Sequence, residues 1–146
     1  IELNRKDWKI AFANSFEPGE GDPIHAIDGD PGTFWHTEYS KKEPKHPHEL
    51  QIDLGSTMPI IAFEYLPRQG QSNGRLGGYE FYVSGDGKTW GSPISAGNFP
   101  NSPEAQRVFF KNTVSARYIR IVALTEVGGS DFASIAEIRA FSPAQK

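Results

Sequence analysis

An acidic turn at residues 28–33 places two carboxylates, a hydroxyl group and several backbone carbonyls within six residues. Calcium ions in proteins are bound by about six to eight oxygen atoms of these kinds. The spacing of Asp28 and Asp30 matches the start of an EF-hand loop, but Thr33 and Tyr39 stand where such a loop has glycine and glutamate. The sequence therefore excludes an EF-hand. It leaves two interpretations open, a plain Asp-Gly turn or a metal-binding turn completed by a distant carboxylate.

Three further stretches carry polar and aromatic side chains that could bind a neutral ligand. In the first stretch, His36 follows Trp35. In the second, Arg68 comes at the end of an apolar segment and is followed by an amide-rich stretch that contains Asn73. In the third, Phe132 lies in a glycine-rich stretch. Guanidinium and amide groups form directional hydrogen bonds with pairs of hydroxyls, and an aromatic face packs against the apolar face of a sugar ring. Each stretch alone also fits a solvated loop or a structural role, but the combination predicts a site for a neutral sugar.

The elements that would position these residues are short strands. Apolar and polar residues alternate or cluster in runs typical of half-buried and central strands. The segments predicted as strands are 49–54, 60–66, 79–84, 105–111, 117–124 and 133–141. With 15 glycines and 11 prolines, we predict an all-β chain of roughly eight strands folded as a jelly-roll β-sandwich. In such a fold the loops at one end carry function, which directs attention to residues 17–39, 67–78 and 125–134.

Composition narrows the possible partners. The 146 residues fit one domain, and we expect that domain to span residues 1–146 and to be cut from a longer protein. The net charge is −3, and the one basic cluster is interrupted by Glu43 and Pro44, so nucleic acid is not an expected partner. The sequence has no apolar run of membrane-spanning length, no signal peptide pattern and no cysteine. Membrane insertion, disulfides and cysteine-bound zinc are therefore excluded.

Several stretches carry a resemblance to a known family, in order and from about Trp8 to Phe141. They are AIDGDPGTFWHTEYS, PHELQIDLG, LPRQ followed by NG, YEFYVSGDGKTWGSP, ARYIRIVALTE and SIAEI. In these stretches the chain resembles the discoidin or coagulation factor 5/8 C-type domain family. Within it, the chain is most similar to the family 32 carbohydrate-binding modules of bacterial sialidases, other glycoside hydrolases and galactose oxidase. The resemblance implies a galactose-binding-domain-like jelly roll, in agreement with the predicted strands.

The resemblance also implies two sets of site residues. The sugar-binding set places polar groups on His36, Arg68 and Asn73, the stacking aromatic on Phe132, and peripheral contacts on Tyr39 and Glu20. A structural calcium ion would be held by the carbonyls of His25, Asp30 and Ala136, by Thr33, and by the carboxylates of Asp28 and Glu137. Glu137 is the distant acid that the acidic turn lacks, so the resemblance favours the metal-binding interpretation of that turn.

The expected function is non-catalytic binding of terminal galactose or of related sugars such as N-acetylgalactosamine and lactosamine. An axial hydroxyl on the fourth carbon of the sugar could meet His36 and Arg68, with Asn73 on a neighbouring hydroxyl. A glucose-type hydroxyl would leave buried donors unpaired, at a cost of about 1–3 kcal/mol. For such a shallow site we expect a dissociation constant of about 0.1–1 mM, equivalent to about 4–5.5 kcal/mol. The module would act as a monomer within a secreted, periplasmic or surface enzyme and target an attached glycoside hydrolase to glycans.

Three alternatives remain. A glycosidase would need a carboxylate pair, for which Glu20, Glu38, Glu126 and Asp131 are the acids on the candidate loops. A protein or phospholipid adhesion module, as in the coagulation-factor relatives, would need exposed apolar residues with a basic surround. The polar loops and the negative net charge do not favour it. A domain that has kept the fold and lost sugar binding is also conceivable, but all four central sugar residues are present.

Overall fold

The structure is a computed structural model that describes residues 1–144, so the last two positions of the predicted domain lie outside the described residues. Its eight strands are β1 (Lys9–Ala13), β2 (Trp35–His36), β3 (His48–Leu66), β4 (Gly78–Ser84), β5 (Ser95–Asn98), β6 (Gln106–Ala123), β7 (Ser134–Ile135) and β8 (Glu137–Phe141). A 3₁₀ segment at Pro23–Ile27 is the one helical element in this part of the chain. No helix within residues 1–144 is long and apolar enough to cross a bilayer.

Two long antiparallel strands, β3 and β6, build both layers of a sandwich. In the first layer, the first half of β3 pairs with β1 on one side and with the second half of β6 on the other. The second half of β6 also pairs with β4, and β5 pairs with β4 at the edge of the sheet. The second half of β3 pairs with β8 and with the first half of β6. The register shifts between Asp53 and Met58, where Gly55 adopts a φ of +88° that favours glycine. This irregularity lies where the strands pass from one layer to the other.

Aromatic rings join the two layers in the core. Phe63 in the second half of β3 stacks on Phe81 of β4, with ring centroids 4.0 Å apart and planes 3° from parallel. Phe110 of β6 lies 6.2 Å from Phe63, and both Phe63 and Phe81 are fully buried. Since Phe63 and Phe81 belong to strands that do not pair with each other, their stacking is a contact across the sandwich.

The all-β fold with about eight strands is confirmed, although the predicted segments leave out the three short strands β1, β2 and β5. The bounds of the other strands differ from the prediction in two ways. Predicted segments 49–54 and 60–66 belong to the single strand β3, and segments 105–111 and 117–124 to the single strand β6. The alternation of apolar residues breaks where the pairing of β3 with β6 shifts register, although both strands continue beyond that point. Predicted segment 133–141 is divided at Ala136 into β7 and β8, because the N–H of Ala136 donates to the carbonyl of Leu66 at 2.9 Å rather than to a ladder partner of β7.

Candidate functional site

A cavity of about 260 Å³ opens where the three candidate loops meet. Its lining residues are Glu20, His36, Tyr39, Arg68, Gln71, Asn73 and Phe132. All six residues of the predicted sugar-binding set therefore line one cavity, although they come from three separate stretches of the chain. Gln71 is the seventh lining residue and was not among the predicted site residues. The only sequence signal for it is its place in the amide-rich stretch before Asn73.

A two-stranded sheet joins the first candidate loop (residues 17–39) to the end of the third (residues 125–134). Strand β2 pairs with β7 so that His36 lies opposite Ser134. Beyond this pair, the N–H of Thr37 donates to the carbonyl of Ala133 at 3.0 Å, and the N–H of Ala133 donates to the Thr37 hydroxyl at 3.1 Å. The N–H of Ser134 donates to the carbonyl of Gly74 at 2.8 Å, which brings in the second loop. The cavity walls are thus joined by backbone hydrogen bonds.

His36 is buried at the base of the cavity, with 3% of its surface exposed. Its Nδ1 lies 2.6 Å from the carbonyl oxygen of Thr37, and since a carbonyl only accepts, Nδ1 must carry the proton. In the neutral ring Nε2 is then an acceptor. Burial lowers the pKa of His36 below its usual value, and the nearby Arg68 charge acts in the same direction. The hydrogen bond to Thr37 and the charges of Glu20 and Glu17 oppose these effects only in part. The ring is therefore a neutral acceptor at neutral pH.

The protonation of His36 predicts a pH dependence of ligand binding. A lowered pKa means that the ring stays neutral from alkaline pH down to below 6.5, and protonation then converts Nε2 from an acceptor into a donor beside Arg68. We expect affinity for the predicted sugar ligand to be constant between pH 7 and 8 and to fall as the pH drops below 6.5. Calorimetric titrations at several pH values, with circular dichroism to verify the fold, measure this. His36→Gln should bind weakly and without this dependence; an identical pH profile in that variant would assign the effect to another group.

Arg68 stands on an aromatic support. Its guanidinium carbon lies 3.9 Å from the centroid of the Phe34 ring, a cation–π contact that fixes the plane of the side chain. Phe34 itself is only half-buried and lies under Arg68, whereas the next residue, Trp35, is 1% exposed and belongs to the core. No carboxylate in residues 1–144 forms an ion pair with Arg68. Its donors are therefore available to a ligand.

Three rings form the aromatic side of the cavity. The Phe132 ring is half-buried, with its centroid 5.2 Å from the ring of His36 and 6.4 Å from that of Tyr39. The Tyr39 hydroxyl donates to Oε2 of Glu20 at 2.6 Å, and this hydrogen bond is the main reason that the pKa of Tyr39 is raised. Buried Glu17 accepts from the N–H groups of Tyr39 and Ser40, both at 2.9 Å. The cavity therefore offers a half-exposed aromatic face beside a carboxylate and an imidazole.

The acids considered for catalysis do not form a pair in the cavity. Of the four, only Glu20 is among the lining residues. Glu126 is buried, and its carboxylate accepts hydrogen bonds from the backbone N–H groups of Gly74 and Gly128. A glycosidase would need two carboxylates facing the ligand, and Glu20 is the one carboxylate among the lining residues.

The acidic turn folds back on itself next to β8. Oδ1 of Asp28 accepts from the N–H of Asp30 at 2.9 Å, and the Thr33 hydroxyl donates to Oδ2 of Asp28 at 2.5 Å and to the carbonyl of Asp30 at 3.2 Å. The Asp30 side chain accepts from the N–H of Gly32. The backbone carbonyl of Asp30 accepts from the Thr33 hydroxyl instead. The preceding 3₁₀ segment, which contains His25, packs against β8. The segment that carries His25 therefore lies against the strand that carries Glu137.

Glu137 carries an unsatisfied oxygen at this place. The residue is fully buried, its Oε1 accepts from Arg5 at 2.8 Å, and its Oε2 has no hydrogen-bond partner. Burial raises its pKa, the Arg5 charge opposes this, and the negative charge of Asp28 raises the pKa further. An orphaned buried carboxylate oxygen facing a second acid fits a bound cation. Within residues 1–144 no three His, Cys, Asp or Glu side chains converge on one point, so such an ion would depend largely on carbonyl and hydroxyl oxygens.

The first loop is less polar at its surface than the sequence indicated. Phe16, directly before the loop, is 39% exposed, and Ile24 is 51% exposed. Neither lines the cavity, whose walls combine polar side chains with aromatic rings. The cavity is therefore the part of this end that is built to recognise a small polar ligand.

Comparison with known proteins extends the similarity over most of the chain. The family model described as F5/8 type C domain matches residues 10–138. The chain is 42% identical over 139 residues to a sialidase of Micromonospora viridifaciens and 40% identical over 142 residues to a galactose oxidase of Gibberella zeae. These matches cover 93% and 95% of this chain but 21% and 20% of the relatives. The chain thus spans about a fifth of the length of these relatives.

A solved structure is similar over its whole length. It is a family 32 carbohydrate-binding module (CBM32) of Clostridium perfringens in complex with GalNAc-β-1,3-galactose. That domain is 37% identical to this chain, with a TM-score of 0.90. The match covers 97% of this chain and 100% of that domain. The jelly-roll architecture predicted from the strand pattern is therefore confirmed by a solved fold.

Proposed function

Because the chain belongs to the F5/8 type C domain family as a family 32 carbohydrate-binding module, we propose that its cavity binds the terminal galactose, or a related galacto-configured sugar, of a glycan. The observation that carries this proposal is the convergence of His36, Arg68, Asn73 and Phe132 on one cavity. The similar Clostridium perfringens domain was solved with a ligand composed of two galacto-configured sugars, which supports the same ligand class.

The donors and acceptors of the cavity are complementary to an axial hydroxyl on the fourth carbon. Arg68 can only donate, and neutral His36 can only accept through Nε2, so together they would satisfy one hydroxyl as acceptor and as donor. The amide of Asn73 would bond a neighbouring hydroxyl. The C–H face of the sugar would lie on Phe132. A glucose-type sugar directs its fourth hydroxyl elsewhere and would leave these groups unpaired, at a cost of about 1–3 kcal/mol.

The stacking role of Phe132 predicts the effect of removing its ring. We expect Phe132→Ala to weaken galactose binding by roughly tenfold, about 1.4 kcal/mol, because the sugar loses its apolar support. Titration of both proteins by calorimetry or NMR measures the difference. Phe132→Tyr keeps the ring and should bind as the wild type does, and the melting temperature should change little because the ring is half-exposed. Equal affinity of the alanine variant would remove Phe132 from the site.

The biological use of so weak a site would be to hold an attached enzyme on a glycan surface. With a dissociation constant of about 0.1–1 mM, one module retains little by itself, and retention would come from several modules or from attachment to a catalytic domain. We propose that the chain is a binding module of a secreted or surface glycoside hydrolase. A glycan array probed with the domain tests the ligand class: signals should concentrate on glycans that end in galactose, N-acetylgalactosamine or lactosamine. Signals confined to other sugars would contradict the proposal.

We also propose a structural calcium ion beneath the sugar loops. It would be held by the carbonyls of His25, Asp30 and Ala136, by Thr33, and by the carboxylates of Asp28 and Glu137. The orphaned Oε2 of Glu137 and the clustered oxygens of the acidic turn support this assignment. The ion would add positive charge where two carboxylates approach each other. It would thereby fix the turn from which Phe34 and His36 emerge.

A further inference from the structure

One buried carboxylate holds the loop that carries Phe132. Glu126 is 9% exposed, and its Oε1 accepts from the backbone N–H groups of Gly128 at 2.8 Å and Ser130 at 3.2 Å. Its Oε2 accepts from the Ser130 hydroxyl. The oxygen of that hydroxyl in turn accepts from the N–H of Phe132 at 3.2 Å. The carboxylate is thus connected through one side chain to the backbone of the stacking residue.

The same carboxylate also holds the loop that carries Asn73. Oε2 of Glu126 accepts from the N–H of Gly74 at 2.9 Å, directly after Asn73. Gly74 has a φ of +80°, and a Cβ atom there would lie 2.6 Å from the Ser134 hydroxyl oxygen, so the position requires glycine. The Ser134 hydroxyl donates to the carbonyl of Asn73 at 2.7 Å. Two loops that are distant in sequence therefore meet at one charged group.

The charge of Glu126 is satisfied by dipoles rather than by a cation. None of the ion pairs formed by residues 1–144 includes it. Burial alone would raise its pKa, but the hydrogen bonds from Ser130, Gly74 and Gly128 outweigh burial and hold the pKa below its usual value. The side chain is therefore ionised at neutral pH and accepts from both loops at once.

We propose that Glu126 is a positioning residue for sugar binding, which sets the separation between Asn73 and Phe132 without touching the sugar. Glu126 is not among the residues that line the cavity, whereas Asn73 and Phe132 both are. A shift of either loop would separate the hydrogen-bonding side of the cavity from its stacking side, and weak sites depend on both sides acting together. This role rests on the proposed function of the cavity.

Galactose titrations of two variants test this role. Glu126→Gln replaces one acceptor oxygen by an NH2 group that faces other donors, and we expect galactose affinity to fall by at least roughly tenfold. Ser130→Ala keeps the buried carboxylate and its backbone hydrogen bonds, and it removes the hydroxyl that donates to Oε2 of Glu126 and accepts from the N–H of Phe132. We therefore expect a smaller loss of roughly three- to tenfold. Glu43→Gln removes an exposed carboxylate and should bind as the wild type does. If Glu126→Gln does not fold, Ser130→Ala decides the question.

A double-mutant cycle separates positioning from general loosening of the fold. In the Phe132→Ala background, Ser130→Ala should have little further effect on affinity, because the ring that it positions is gone. Equal losses in both backgrounds would indicate loosening and overturn the proposal. Wild-type affinity in both Glu126→Gln and Ser130→Ala would also overturn it, while leaving the sugar site in place. A wild-type domain that does not bind galactose would instead refute the proposed function, and this role with it.

Discussion

Replacing Arg68 with alanine is expected to abolish measurable galactose binding while the protein stays folded. Arg68 supplies charged donors that no carboxylate in residues 1–144 occupies, and a hydrogen bond from a charged group contributes about 1.5–3 kcal/mol. Its loss would also leave Nε2 of His36 as the only partner of the fourth hydroxyl. From a dissociation constant of about 0.1–1 mM, a loss of about 2 kcal/mol or more places binding beyond the range of calorimetry.

The stability of the Arg68→Ala variant separates a binding role from a structural one. The side chain packs on Phe34 at the protein surface, and such a cation–π contact contributes about 0.5–1 kcal/mol. The melting temperature should therefore fall by only a few degrees. Arg68→Lys keeps the charge but not the planar fork, and it should bind more weakly than the wild type. A large loss of stability in Arg68→Ala, or retained galactose affinity, would contradict the binding role.

Removal of calcium is expected to lower the melting temperature by roughly 5–10 °C. An ion that binds only the folded state adds stability that grows with the logarithm of the ratio of its concentration to its dissociation constant, about 2.7 kcal/mol at a ratio of one hundred. For a domain of this size, each kcal/mol corresponds to roughly 3–4 °C. Thermal melts with a strong chelator, with added calcium and with calcium restored after chelation measure the effect. An unchanged melting temperature in chelator would contradict the site.

Two variants of the acidic turn provide the matched comparison for this experiment. The carboxylate of Asp28 belongs to the proposed ligand set, so Asp28→Asn should lower the melting temperature and abolish the response to chelator. In the proposed ligand set Asp30 contributes only its carbonyl, and its side chain accepts from the N–H of Gly32. Asp30→Asn should therefore retain the response. Both side chains are exposed, so differences between the two variants report on the ion rather than on core packing.

The local chemistry of the site was predictable because it follows strands and turns that the sequence marks clearly. His36 comes directly after a turn and two aromatics, and Arg68 comes at the end of an apolar strand. The alternation of apolar residues indicated the strands on each side of Gly55. It could not show that they form one strand, because a glycine between two apolar segments fits a turn between two strands as well as a bend within one strand.

Contacts between distant segments were not predictable in the same way. Gln71 lines the cavity and Phe34 supports Arg68, yet nothing in their own sequence neighbourhood distinguishes these roles from those of an exposed amide and a core aromatic. Glu126 lies 52 residues from Gly74 in the sequence, and its carboxylate accepts a hydrogen bond from the Gly74 N–H. In the sequence it was one of four loop acids considered for a glycosidase. Its partners become visible only when the loops are placed together.

The most direct test of the sugar-binding function is a parallel calorimetric titration of the wild-type domain with galactose and with glucose. The two sugars differ only in the direction of the fourth hydroxyl, which is the group that His36 and Arg68 would share. We predict binding of galactose with a dissociation constant of about 0.1–1 mM. Binding of glucose should be at least roughly tenfold weaker, because its hydroxyl leaves those groups unpaired. Equal affinities for the two sugars, or no heat with galactose, would contradict a galacto-specific site.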